Sequence, residues 1–228
     1  NAKLRAELTK QQNSFGEAKQ LKAALDLAGR ASWKVVNARV LAQGSTISFT
    51  NTITIDQGSR AGIKPNLTVV NGSGLVGVVK TVFPNSSVVL LASDPAFKIG
   101  VRVARNQSIG ILSGQGSNSG ILELLDNTAR LKKNDVLLSR GSINNSPFVP
   151  GVPVGRVTKA SDSTNNVSQV ADVTYYANLN ALGVVSVILK ASDADPGNAL
   201  IPKAPAPTPI PTVTVYATPS ATPSPSKS

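Results

Sequence analysis

Ile53-Thr54-Ile55-Asp56-Gln57-Gly58-Ser59-Arg60-Ala61-Gly62-Ile63-Lys64-Pro65-Asn66 runs on into Leu67-Thr68-Val69-Val70 and then into Asn71-Gly72-Ser73-Gly74-Leu75-Val76-Gly77-Val78-Val79. β-Branched runs broken by glycine turns read as strand, turn, strand, turn, strand. A weaker copy follows: Ala61-Gly62-Ile63-Lys64-Pro65-Asn66-Leu67-Thr68-Val69-Val70 aligns without a gap on Ala129-Arg130-Leu131-Lys132-Lys133-Asn134-Asp135-Val136-Leu137-Leu138. A glycine loop and a Gly-x-Val strand come after each copy, Gly77-Val78-Val79 and then Gly155-Arg156-Val157, with a longer loop in the second. Shared order of turn and strand predicts a duplicated β unit.

Around that unit the pattern stays β from Trp33 to Leu189. Ile47, Phe49, Ile53 and Ile55 alternate with Ser48, Thr50, Thr52 and Thr54, and Ile99, Val101 and Val103 alternate with Lys98, Gly100 and Arg102. Alternation of this kind buries one face of a strand. Many short strands punctuated by Gly, Asn, Ser and Pro predict an antiparallel sandwich or barrel. Before them, residues 1–28 are rich in Ala, Leu, Lys, Gln and Glu and lack Pro, which predicts a helix stopped at Gly29. Leu4, Leu8, Gln11, Phe15, Ala18, Lys22 and Leu25 follow heptad spacing, so the helix reads as a weak coiled coil over 1–29 or as a helix packed on its own β body. Leu4, Leu8, Phe15 and Leu25 are its candidate self-association residues. After the β region, nine of the fifteen prolines fall in residues 191–228. Such a segment buries too little apolar surface to offset its ordering entropy, so a disordered Pro-rich tail is expected there.

Composition narrows the function. The 228 residues contain no Cys and no His. Ser-His-Asp and Cys-His triads and Cys/His zinc sites are therefore impossible, and no metal site or cofactor is expected. Absent Cys fits a chain that folds outside the cytoplasm without disulfides, as well as many cytosolic ones. With no Met even at position 1, the sequence reads as a piece of a longer product. No apolar run long enough to span a bilayer occurs in it. Net charge is +11, of which residues 1–34 carry +4 (seven basic, three acidic) and residues 35–190 carry +7 (fourteen basic, seven acidic). The spread charge suits anionic surroundings. Nucleic acid is disfavoured, because the nine aromatics provide few stacking platforms beside Lys or Arg.

Three motifs invite chemistry. Gly72-Ser73-Gly74-Leu75-Val76-Gly77 satisfies G-x-G-x-x-G, and Asp94 stands where a ribose-binding acid would. Dinucleotide binding requires a helix next; the β-branched Val78-Val79-Lys80-Thr81-Val82 predicts a strand, so the glycines read as a hairpin turn. Asp56, Asp94, Asp126 and Asp135 each adjoin turn residues, where Asp bonds its own backbone. Ser224 and Lys227 have the spacing of a serine–lysine pair but lie in the Pro-rich tail. Phe148-Val149-Pro150-Gly151-Val152-Pro153-Val154-Gly155 reads as a stiff loop. Phe148, Val149 and Pro150 are either a partner-binding patch or a plug whose Phe caps a barrel end.

Taken in order, several segments resemble the rod shape-determining protein MreC family. They are Ile55-Asp56-Gln57-Gly58-Ser59 with Gly62-Ile63, Gly74-Leu75-Val76-Gly77-Val78-Val79, and Val88-Val89-Leu90-Leu91 with Asp94. Ile109-Gly110-Ile111-Leu112-Ser113-Gly114, Leu131-Lys132-Lys133-Asn134-Asp135, Gly141, and Phe148-Val149-Pro150-Gly151 through Val157 complete the set. The family's frequent Gly-Asp is here Asn134-Asp135, and its Thr-Ser-Gly is Ser139-Arg140-Gly141. The resemblance implies a mainly β fold: two small antiparallel β-barrel-like domains, a non-catalytic chymotrypsin-like double barrel, preceded by a coiled-coil helix. It places the double-barrel body at 30–190, the first domain at about 35–80 plus 150–190 and the second at about 81–149. It implies a single-pass cell-membrane protein anchored by an upstream helix, with this region on the extracytoplasmic side. The implied role is a non-enzymatic scaffold that maintains cell shape by organising or activating peptidoglycan synthases. Implied partners are the elongation-specific class B penicillin-binding transpeptidase, MreD and other elongation-complex proteins, with self-association to a dimer or filament. An extracytoplasmic β module that binds an anionic cell-wall polymer is the alternative that the basic body keeps open.

Overall fold

In the computed structural model the described residues are 2–44, 50–126, 129–161, 169–191 and 195–202. Helix α1 spans Ala2–Arg30. Its end is a Schellman turn: Trp33 N–H donates to Ala28 O (3.0 Å) and Ser32 N–H to Gly29 O (3.1 Å). Ser32 takes the left-handed conformation, φ 55°. The stop is thus three residues beyond the expected Gly29, which remains helical. The reason is packing: Ala28 and Trp33, the two ends of the motif, are both buried.

Twelve strands follow, β1 (Lys34–Gln43), β2 (Thr52–Ile55), β3 (Thr68–Val70), β4 (Leu75–Val82), β5 (Ser87–Leu91), β6 (Lys98–Val103), β7 (Ile109–Gly114), β8 (Ser119–Leu124), β9 (Val136–Ser139), β10 (Pro153–Ser161), β11 (Val170–Tyr175) and β12 (Val184–Lys190). They close two antiparallel six-stranded barrels, in the order β1-β12-β3-β4-β5-β2 and β10-β11-β8-β7-β6-β9. The predicted mainly β double barrel with one N-terminal helix is therefore the observed fold. Ile47 and Phe49 of the predicted alternating strand lie outside the described residues.

The division between the barrels differs from the expected one. Barrel one takes β1–β5 and β12, so it ends its first pass at Leu91 and gains only 184–190 from the C-terminal part. Strands β10 and β11, expected in the first domain, belong to barrel two. Their partners decide this: β10 pairs with β9 and β11 with β8. Alternation along a strand is the same whichever sheet it joins, so only the pairing distinguishes them.

The duplicated unit is geometrically real. Asn66 and Asn134, aligned in the repeat, are both left-handed (φ 62° and 70°). Their N–H groups donate to Val79 O and Val157 O, each at 2.8 Å, and the return bonds to Leu67 O and Asp135 O are each 2.9 Å. The register slips between Val79 and Thr81 on β4 and between Val157 and Lys159 on β10, a bulge at equivalent places. Ile63 and Leu131, also aligned, are both buried.

Candidate partner interface

The glycine turn that suggested a cofactor cradle serves packing. Asn71 Oδ1 accepts from Ser73 N–H (2.9 Å) and Gly74 N–H (3.0 Å), closing the turn between β3 and β4. A Cβ on Gly72 would stand 2.3 Å from the Ala23 Cβ of α1. A Cβ on Gly74 would stand 2.3 Å from Pro153 O in barrel two. Gly77 lies in β4 itself, paired with Val69 and Leu91. The three glycines thus bring together the helix, the second barrel and a neighbouring strand, and the predicted strand after them is the observed β4.

Helix α1 is fastened beside this turn. Gln20 Oε1 accepts from the N–H groups of Gly183 (3.2 Å) and Val184 (3.0 Å), and Glu17 pairs with Arg39 at 3.1 Å. Ala24, Leu27 and Ala28 are buried on that side. Phe15 (75% exposed), Leu21 (36%) and Leu25 (47%) are the helix's exposed large hydrophobic residues among those described. At about 100° per residue Phe15 and Leu25 fall opposite Gln20, Ala24 and Leu27, while Leu21 sits at the margin, seven residues before the buried Ala28. Leu4 and Leu8 belong to the same helix, but their side chains lie outside the described residues.

The loop between β9 and β10 joins the barrels. Thr68 Oγ1 donates to Pro147 O (2.7 Å) and accepts from Val149 N–H (3.1 Å). Ser139 Oγ does the same within barrel two, donating to Val149 O and accepting from Val152 N–H at 2.9 Å. Phe148 meets Phe97 edge to face at 5.4 Å. Phe148 and Val149 are consequently buried, and Pro150 is half-buried. As an exposed patch Phe148 and Val149 are thus corrected by the structure. Two hydroxyls satisfy the loop's backbone groups, and that holds the apolar side chains in the junction.

The carboxylates also find backbone partners. Asp94 is buried and accepts from Asn51 N–H (2.6 Å) and Ala96 N–H (2.8 Å), so it holds a turn and not a ribose. Asp56 accepts from Arg39 N–H at 2.8 Å. Asp135 meets Arg105 side-on, with both contacts 2.8 Å, and accepts from Lys132 N–H at 2.8 Å. Burial alone would raise the Asp135 carboxyl, but Arg105 and the Lys132 amide together hold it below its ordinary value. Burial pushes the Tyr175 hydroxyl well up; it donates to Ala92 O of the other barrel at 2.6 Å. Tyr176 is raised by burial too, against a smaller lowering by Arg156. Asp126 is exposed, and Ser224 and Lys227 lie outside the described residues. Among the described residues, no three acidic side chains are placed to hold a metal ion.

Surface hydrophobes missed from the sequence complete the picture. Ile111 (42% exposed) and Leu125 (65%) lie diagonally on the outer face of β7 and the end of β8, and Ile143 (88%) tips the loop after β9. Their signal is present in Ile111-Leu112 and Leu124-Leu125, where consecutive apolar residues put one of each pair outside.

The family model described as rod shape-determining protein MreC, barrel core, matches residues 41–189. The cell shape-determining protein MreC of Listeria monocytogenes is 29% identical over 184 residues, covering 78% of this chain and 61% of the relative. The chain thus spans less than two thirds of that relative's length. The crystal structure of MreC from Pseudomonas aeruginosa is 30% identical with a TM-score of 0.61, covering 68% of this chain and 99% of that one. One chain of a solved complex between penicillin-binding protein PBP2 and MreC from Helicobacter pylori shares the fold, at 18% identity and a TM-score of 0.52, over 69% of this chain and 99% of that one.

Proposed function

The chain belongs to the MreC family of cell shape-determining proteins, and on that premise we propose that it is a non-enzymatic scaffold for peptidoglycan synthases outside the cytoplasmic membrane. The observation that carries the reading is a double barrel whose buried Asp94, Asp135, Thr68, Ser87 and Ser139 are each hydrogen-bonded to backbone and hold turns and junctions together. The partner we assign is the elongation-specific class B transpeptidase, a choice supported by the Helicobacter pylori complex with PBP2. Ile111 and Leu125 offer the apolar anchor such a contact needs. Titration of the folded chain with the cognate transpeptidase tests this. Saturable binding weakened about tenfold or more by Ile111→Glu is expected, and a folded chain that does not bind ends the reading. MreD and other elongation-complex proteins are further partners in this proposal.

Self-association through α1 belongs to the same reading, supported by the outward-facing Phe15 and Leu25. Anchoring by an upstream helix belongs to it also; among the described residues no helix is long and apolar enough to cross a membrane. A second reading, binding to an anionic wall polymer, is favoured by one observation. Lys34 and Lys190 are exposed and directly opposite across β1 and β12, and like charges so placed repel unless an anion lies between them. Binding to wall material that weakens with salt would support it, and salt-insensitive binding would exclude it.

A further inference from the structure

The chain completes barrel one with β12, yet residues 195–201 lie on barrel two. They gather around Arg102 of β6. Val101 and Val103 point into the barrel and are fully buried, so Arg102 points outward, and it is nevertheless only 8% exposed. The guanidinium donates through Nη1 to Gln107 Oε1 and Asn198 Oδ1, both at 3.2 Å, and through Nη2 to Gly197 O at 2.9 Å and Asp195 Oδ1 at 3.3 Å. Asn198 Nδ2 donates to Ala104 O at 3.2 Å. Pro196 sits close over Gly151, and Leu200 is fully buried.

This occupant fits Arg102 imperfectly. A carboxylate satisfies a guanidinium best side-on, through two parallel bonds of about 2.7–2.9 Å. Asp195 reaches it with one oxygen at 3.3 Å, and that same oxygen also accepts from Gly197 N–H. Arg102 Nε, among the described residues, is the buried side-chain donor left without a hydrogen-bond partner. A buried donor on a cation left unpaired is costly. Beside it lies an open groove of about 300 Å³ lined by Arg102, Gln107, Asp195, Gly197 and Asn198.

We propose that this face of barrel two is a carboxylate-reading peptide site, closed in the free chain by residues 195–201 and taken over by an acidic segment of a protein partner. The chemistry that recognises the ligand is on the surface itself. Arg102 takes a carboxylate, Gly151 accepts a proline or other flat residue, and the site of Leu200 takes an aliphatic side chain a few residues on. The tethered segment holds the site by its high effective concentration and not by its fit. A carboxylate free to turn flat against Nε and Nη2 displaces it. The proposal is independent of the transpeptidase reading and applies to any partner presenting this pattern.

The test uses the full chain and a labelled synthetic peptide, Asp-Pro-Gly-Asn-Ala-Leu-Ile-Pro, the sequence of residues 195–202. The double substitution Asp195→Lys with Leu200→Ser releases the tethered segment and leaves barrel two unaltered. The peptide is expected to bind the released chain at least about tenfold more tightly than the parent. Adding Arg102→Gln should return binding to the parent level, and Arg102→Lys, which keeps the charge without the fork, should fall between. Amide protection along β6 and β9 reports that the barrel is intact in each variant. Should Arg102→Gln lose that protection, Arg102→Lys carries the same comparison. Equal binding to parent and released chains, no binding to the released chain, or binding indifferent to Arg102 would each overturn the proposal.

Discussion

Thr68 shows how much one hydroxyl decides. It is 1% exposed and bridges the barrels by giving a hydrogen bond to Pro147 O and taking one from Val149 N–H. Thr68→Val keeps the shape and leaves the buried Val149 N–H and the half-buried Pro147 carbonyl without this partner. A loss of about 1–3 kcal/mol in denaturant unfolding is expected. Gly72 and Gly100 make a contrast of the same kind. Gly72→Ala drives a methyl into Ala23, and a cost of about 1–3 kcal/mol with lost amide protection in the second half of α1 follows. Gly100 has nothing within 4 Å of a new Cβ, so Gly100→Ala should change stability by about 0.5 kcal/mol or less. Asp135 makes a prediction in pH. Its folded carboxyl lies below the ordinary value of 3.8, so its contribution is complete above that value and disappears as pH falls through the lower folded one. Unfolding measured across the acid range should be flatter for Asp135→Asn, and an unchanged acid slope would remove the Arg105 pair from the account.

At the scale of elements, α1 has two apolar faces with different duties. The face with Ala24, Leu27 and Ala28 is committed to barrel one, while Phe15 and Leu25 remain outside. Sedimentation of a chain starting at Ala31, compared with the full one, should show a smaller species; equal size would take the helix out of self-association. The heptad spacing was legible because it is local. Which side would dock was not, since docking depends on Gly72 and on the amides of Gly183 and Val184, far along the chain. Element ends show the same limit. Gly29 has the intrinsic freedom to end a helix, but Trp33 closes the turn because its ring is buried there. The expected tail from 191 likewise yields residues 195–201 to barrel two, through Arg102 and Leu200, whereas 203–228 lie outside the described residues.

At the scale of the molecule, each barrel is completed by a strand from the other half of the chain. In barrel one β12 lies between β1 and β3, and in barrel two β6 lies between β7 and β9. The tandem halves β1–β6 and β7–β12 have thus exchanged their last strands. The barrels also meet at equivalent ends of the two units, where Gly74, just before β4, lies close to Pro153 of β10 and Thr68 of β3 bonds to the 147–149 loop. Such crossing predicts one cooperative thermal transition for both barrels. It also predicts that a chain ending at Tyr175 leaves β1 and β3 as open edges and aggregates. Two separate transitions in calorimetry, or a soluble monomer ending at Tyr175, would contradict this. The sequence by itself determined the β units, their duplication and the class of function excluded by absent His and Cys. These depend on alternation, turn residues and composition, all of them local properties. Only the tertiary structure decided which barrel each strand joined, that Phe148 and Val149 face the junction, and that Arg102 is covered by a distant segment. Those outcomes depend on which surfaces meet, and strands with the same alternation are compatible with either barrel until pairing selects one.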